Sequence, residues 1–100
     1  MKKLWENNAV IAINLAMYVA PGKGKSHHSR RRYHGLVYNE ENSRRDYFFS
    51  DGFVLKTGPR DLYYLPKSAS YQVKSEGSGG CYAINFDLLS DPELPLFPFP

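Results

Sequence analysis

The stretch Phe53–Val73, FVLKTGPRDLYYLPKSASYQV, most constrains what this chain can fold into. Two apolar runs, Phe53 to Leu55 and Leu62 to Leu65, are separated by Gly58, Pro59 and Asp61, and Pro66, Ser68 and Ser70 follow the second. Pro59 fixes φ for a turn, Asp61 can bond back to a nearby backbone N–H, and Pro66 has no N–H with which to extend a ladder. The pattern reads strand, turn, strand, turn, strand, with the middle strand stopped at both ends.

The rest of the chain agrees with that reading. Tyr33 to Tyr38, YHGLVY, predicts a strand, Asn39 to Ser43 a polar turn, and Arg44 to Phe49, RRDYFF, a returning strand. Ser50, Asp51 and Gly52 then turn into Phe53, and Asp-Gly between two β-prone runs is a strong hairpin signal. Phe48, Phe49 and Phe53 are assigned to packing of a small β-core. After Tyr71 to Ser75, YQVKS, the turn EGSGG is no phosphate loop, because no helix pattern follows and the Walker Lys and Ser/Thr are missing. Cys81 to Leu88 alternates, with Tyr82, Ile84, Phe86 and Leu88 on one side and Cys81, Ala83, Asn85 and Asp87 on the other. Periodicity alone turns the apolar side to the core. Upstream, the apolar run begins only at Ala9 and is interrupted by Asn14, which makes a poor signal peptide and is too short to span a bilayer. It predicts a strand with Ile11, Ile13, Leu15, Met17 and Val19 facing the core. Helical periodicity is absent, and 100 residues with 42% hydrophobic and 15% aromatic content fit one compact all-β domain. The lone Cys81 suits a reducing compartment, hence a cytoplasmic location.

A short strand between two Pro-containing turns resembles the second motif of the cupin barrel. The version here, T-G-P-x-D-L-Y-Y-L-P-K-x-x-x-Y, is most similar to the N-terminal, effector-sensing domain of AraC-type transcription regulators. The resemblance covers roughly residues 28 to 90, anchored on Pro59, Asp61, Leu62, Leu65, Pro66 and the run GCYAINFDL. It implies a cupin-like jelly roll over residues 1–100, with 1–8 as a lead-in and 91–100 as a Pro-rich tail. Arg60 and Ser68 stand where the family usually has glycine, and a positive φ at a residue with a Cβ is costly. In such sensors a strand like Cys81–Leu88 can turn its small, polar face inward, opposite to the periodicity reading, and both remain open at this point.

Lys23 to His34, KGKSHHSRRRYH, carries five Lys or Arg, three His and no acid. As a solvated basic loop it needs no partner. Arg31 or Arg32 at a barrel mouth would offer a bidentate fork to an anion or a polar ligand. Nucleic-acid binding has only this one short patch behind it, at a net charge of +3. Metal-binding cupins draw ligands from an H-x-H pair, a downstream Glu and a His closing the second motif. Here His27 and His28 are adjacent and point to opposite faces of an extended chain, Glu40 and Glu41 lie nearby, and Tyr71 occupies the last position. A neutral phenol substitutes poorly for imidazole, so no metal and no cofactor are expected.

The resemblance implies a binding domain rather than an enzyme. A small polar effector, a sugar being the familiar class, would bind at His34, Leu36, Tyr71, Val73, Cys81, Ala83 and Asn85, with Arg31 or Arg32 at the mouth. The expected assembly is a homodimer that touches no membrane, and DNA would be met only through a C-terminal helix-turn-helix region that this chain lacks. The Pro-rich ending, SDPELPLFPFP, fits a fragment of such a regulator. The alternative is a small metal-dependent cupin enzyme, a sugar isomerase or dioxygenase, using His34, Tyr71 and Glu40 or Glu41.

Overall fold

The computed structural model describes residues 11–88, which form eight β-strands in two four-stranded antiparallel sheets. In chain order these are β1 (Ile11–Val19), β2 (Gly24–His28), β3 (His34–Asn39), β4 (Ser43–Phe49), β5 (Val54–Thr57), β6 (Leu62–Leu65), β7 (Tyr71–Gly77) and β8 (Cys81–Leu88). One sheet runs β1-β8-β3-β6 and the other β2-β7-β4-β5. Every hydrogen-bonded pair is antiparallel, and neighbours far apart in sequence, such as β1 with β8 and β2 with β7, close the jelly roll. The expected all-β fold is what the chain adopts.

The turns come from the residues that punctuate the sequence. The Asp61 carboxylate accepts from the Gly58 backbone N–H at 2.7 Å and the Asp51 carboxylate from that of Phe53 at 2.9 Å. Arg60 and Ser68 both lie in the left-handed region, with φ of 63° and 73°. The backbone keeps a glycine conformation at both, at a cost of about 1–2 kcal/mol each.

Between the sheets lies a core of Val37, Tyr47, Tyr63, Leu65, Tyr71, Val73 and Cys81. The large rings come from β4, β6 and β7, so β8 contributes small side chains. Cys81, Ala83 and Asn85 pair with Asn39, Val37 and Gly35 in one inward row, while Tyr82 is 52% exposed. The small, polar face of β8 is therefore the inner one, and the periodicity reading is overturned.

Three further expectations need correction. The register of β1 against β8 shifts between Ile13 and Leu15, so Ile13 joins the outer row with Phe86 while Leu15, Met17 and Val19 stay in the inner one. β1 is also an edge strand, and Leu15 and Met17 remain exposed. Half of the supposed basic loop is a strand: Gly24 to His28 pairs with Ser75 to Tyr71. Of the three phenylalanines, Phe49 packs against the core, whereas Phe48 points outward and Phe53 is 60% exposed. The lead-in 1–8 and the tail 91–100 lie outside the described residues.

Candidate ligand site in the barrel

Inside the barrel is a cavity of about 190 Å3. Its apolar wall comprises Met17, Val19, Val37, Leu65, Cys81 and Ala83, and its polar groups are His28, Arg31, Arg45, Tyr47, Tyr71 and Asn85.

Arg31 enters from the loop between β2 and β3. That loop is pinned to the turn after β6, where Arg31 N–H donates to the Ala69 carbonyl at 2.9 Å and Ser68 N–H donates to the Arg31 carbonyl at 2.8 Å. The Arg31 guanidinium then reaches both sheets. Its Nε donates to the Tyr33 carbonyl at 3.2 Å, one Nη to the Tyr71 hydroxyl at 2.9 Å, and the other to Asn85 Oδ1 at 2.6 Å. Gly35 makes the space: a Cβ there would collide with the guanidinium. His28, at the end of β2, stacks on Tyr71 with ring centroids 5.2 Å apart. Burial and the positive charges of Arg31 and Arg45 hold its imidazole below the ordinary histidine pKa.

Arg45 stands on the inner row of β4. It donates from Nε to the Tyr47 hydroxyl at 3.0 Å and from Nη1 to Ser75 Oγ at 3.0 Å. The Tyr63 hydroxyl donates to Asn39 Oδ1 at 3.0 Å, so in the 2.7 Å Tyr47–Tyr63 contact Tyr47 donates. Asn39 Nδ2 donates to Thr57 Oγ1 and to the Gly58 carbonyl, both at 2.9 Å, and Thr57 returns a bond of 2.7 Å to the Arg45 carbonyl. The chain of bonds closes on the residue where it began. Burial raises the pKa of both Tyr47 and Tyr63, and it also raises that of the Cys81 thiol.

Arg31, Tyr71, Cys81, Ala83 and Asn85 are thus brought together around one cavity. Val73 is buried beside it in the core. Arg32 lies on an outer cleft of about 400 Å3, with His27, Arg30 and Tyr33, which shares His28, Arg31 and Asn85 with the cavity. Leu36 and His34 fall in the opposite row of β3 and face outward, because Gly35 and Val37 hold the inner positions. His34 is covered there by Tyr64, whose hydroxyl is 2.6 Å from Nδ1, and by Phe86, centroid to centroid 5.4 Å.

Sequence reasoning missed Arg45, His28 and Gly35. Arg45 shares its alternation with Tyr47 and Phe49, and that parity was the available signal. A wider, mostly apolar groove of about 440 Å3, lined by Phe49, Phe53, Leu55 and Tyr63 among others, shares no residue with the arginine cavity. Asp51, Lys67 and Ser68 also line it, and no arginine does.

Of the acids considered for metal binding, Glu40 accepts from the Tyr18 hydroxyl at 2.7 Å and from Gly80 N–H at 2.9 Å, and these bonds hold its carboxyl below the usual pKa. Glu41 pairs with Arg60. Among the described residues no three of His, Cys, Asp and Glu gather as a ligand set. Nor, among them, is any helix long and apolar enough to cross a membrane.

Two solved structures share this architecture. A cupin domain from Bordetella pertussis Tohama I superposes with a TM-score of 0.52 at 14% identity, over 87% of this chain and 98% of that one. The fold is cupin-like. The protein NMB1881 from Neisseria meningitidis is similar in structure too, with a TM-score of 0.55 at 17% identity, over 87% of this chain and 89% of that one. No protein-family model matches the chain, and no curated protein matches it. The likeness carries the cupin-like fold and no activity.

Proposed function

We propose that this chain is the effector-sensing domain of a cytoplasmic, AraC-type transcription regulator, binding a small polar molecule inside the cupin-like barrel without transforming it. The observation behind this reading is the Arg31–Tyr71–Asn85 cluster. One side chain from a loop joins β7 of one sheet to β8 of the other at the edge of a cavity. A ligand that accepts from Arg31 changes how firmly the loop is held against the turn after β6. It therefore has different affinities for two loop arrangements, which is what a sensor requires. DNA would be met through a helix-turn-helix region beyond these residues. Dimerisation has a surface available in the outer face of β1-β8-β3-β6, where Tyr18, Leu36, Tyr38, Leu62, Tyr64 and Tyr82 are exposed.

A thermal-shift titration of the full chain with small polar molecules, and separately with divalent metals, tests the reading. A ligand at a hundredfold over its dissociation constant adds about 2.7 kcal/mol, roughly 10 °C or more for a domain of this size. A saturable shift that chelator leaves unchanged and Tyr71→Phe weakens is the expected result. A shift with metal alone would sink the sensor reading in favour of a metal-dependent cupin enzyme.

A further inference from the structure

The cavity has an imbalance of hydrogen-bonding groups. A guanidinium offers five N–H donors. Arg31 engages three of them and Arg45 two, leaving donors over on both. The Tyr71 hydroxyl accepts from Arg31 and has no acceptor for its own proton among the described residues. Asn85 Oδ1 accepts from Arg31, and both N–H groups of that amide are left without an acceptor among the described residues. Among the described residues no Asp or Glu lines the cavity or its outer cleft, and neither arginine has a carboxylate partner. Two guanidinium groups therefore line one small space with donors to spare and no countercharge among the described residues, an arrangement that is costly while it is unpaired.

We propose that the molecule taken by this barrel is a small organic anion, a carboxylate head on a short apolar body, with the head on Arg31 and Arg45. This rests on the reading of the interior as a small-molecule site. A carboxylate supplies acceptors without donors and matches the planar fork of each guanidinium. A neutral sugar brings a donor with every hydroxyl and leaves both charges uncompensated. The opposite wall, Met17, Val19, Val37, Leu65 and Ala83, suits hydrocarbon. A volume of about 190 Å3 matches roughly six waters of liquid, so the body is only a few carbons long. Gly35 is a positioning residue in this arrangement, because any side chain at its Cβ displaces the Arg31 guanidinium.

The test is a thermal-shift and calorimetric titration of the full chain with butyrate, its neutral isostere butyramide, galactose and, at matched ionic strength, potassium chloride. Butyrate is expected to bind saturably, at least tenfold tighter than butyramide, with chloride inert. Arg45→Gln should weaken butyrate tenfold or more and Arg45→Lys less. Gly35→Ala should weaken it with a smaller loss of unfolding midpoint than Arg45→Gln, since what has to move is the end of a flexible side chain and not the backbone. That variant keeps the test alive if Arg45→Gln fails to fold. Equal binding of butyramide, or saturable binding of galactose alone, overturns the anion while the small-molecule reading stands. Silence from butyrate, butyramide and galactose alike overturns both.

Discussion

At one end of β3, Asn39 joins Tyr63, Tyr47 and Thr57 in a circuit of hydrogen bonds that closes through Arg45; past its other end, beside Gly35, Arg31 joins Tyr71 and Asn85 in an open one. Both clusters are polar groups inside the same barrel, so polarity alone does not separate structure from function here. What separates them is leftover capacity. In the closed circuit the Tyr47, Tyr63 and Thr57 hydroxyls each accept and donate, and Asn39 is wholly buried with its amide engaged at both ends. In the open cluster the donors outnumber the acceptors, and Arg31, Tyr71 and Asn85 all line the cavity. A saturated network rigidifies, whereas an unsaturated one is costly until something satisfies it.

The largest consequence should come from breaking the closed circuit. Asn39→Ala strips the Tyr63 and Thr57 hydroxyls of their shared partner and leaves the Gly58 carbonyl without its side-chain donor. A loss of about 3 kcal/mol is expected, from buried groups left unsatisfied at about 1–3 kcal/mol each. Urea denaturation reads it directly, and a loss under about 1 kcal/mol would mean that the circuit is not what holds this end together.

A paired substitution sharpens the contrast. Tyr63→Phe should cost about 1–2 kcal/mol, because Tyr47 loses its acceptor and Asn39 its donor. Tyr71→Phe should cost less than about 1 kcal/mol, since Arg31 keeps Asn85 and the Tyr33 carbonyl, while ligand binding falls. Equal stability losses for the two phenols would erase the distinction between the ends.

Both ends also rest on strained turns. Arg60 N–H donates to the Asn39 carbonyl, and Ser68 N–H to that of Arg31, so each left-handed residue supports one cluster. Arg60→Gly and Ser68→Gly should each stabilise by about 0.5–1 kcal/mol, the relief of left-handed strain less the greater freedom of glycine when unfolded. Arg60 loses an ion pair with Glu41 that is too exposed to offset this. A destabilised double variant would mean that the side chains, not the backbone, set these turns.

These turns show why some of the fold was legible and some was not. β6 and β8 have the bounds read from sequence, because Pro, Gly and Asp at their flanks act locally. β2 was hidden, since Lys, Ser and His carry little β signal and the strand exists through pairing with β7, distant in sequence. The register shift in β1 and the inner face of β8 were hidden for the same reason: both are set by what lies across the sheet or barrel. In the site, Tyr71 was legible through the resemblance, which allowed the small face of β8 inward without deciding it. Arg31 was legible only as charge. Arg45 was passed over because the packing of Arg44 to Phe49 was assigned to Phe48 and Phe49 alone, and Leu36 was misjudged by one position of parity.

The smallest expected effect is a difference in pH response between the two ends. The Tyr47 and Tyr63 hydroxyls have raised pKa values, so the closed circuit does not titrate near neutrality. His28 does: burial, Arg31 and Arg45 lower its pKa from the ordinary value of 6.5. Between its lowered value and 6.5 the unfolded chain binds more protons than the folded one. Stability therefore rises with pH through that window and falls as the pH is lowered through it. Urea midpoints measured from about pH 5 to 7.5, around the reference histidine pKa, should show this slope, and His28→Gln should flatten it. A carboxylate on the two arginines removes part of what depresses His28, so binding should take up protons and tighten as the pH falls. His27, the neighbouring charge on the same strand, works weakly in the direction of the arginines and is untouched by the ligand. An unchanged slope in saturating butyrate would place the anion away from His28 and the two guanidinium groups.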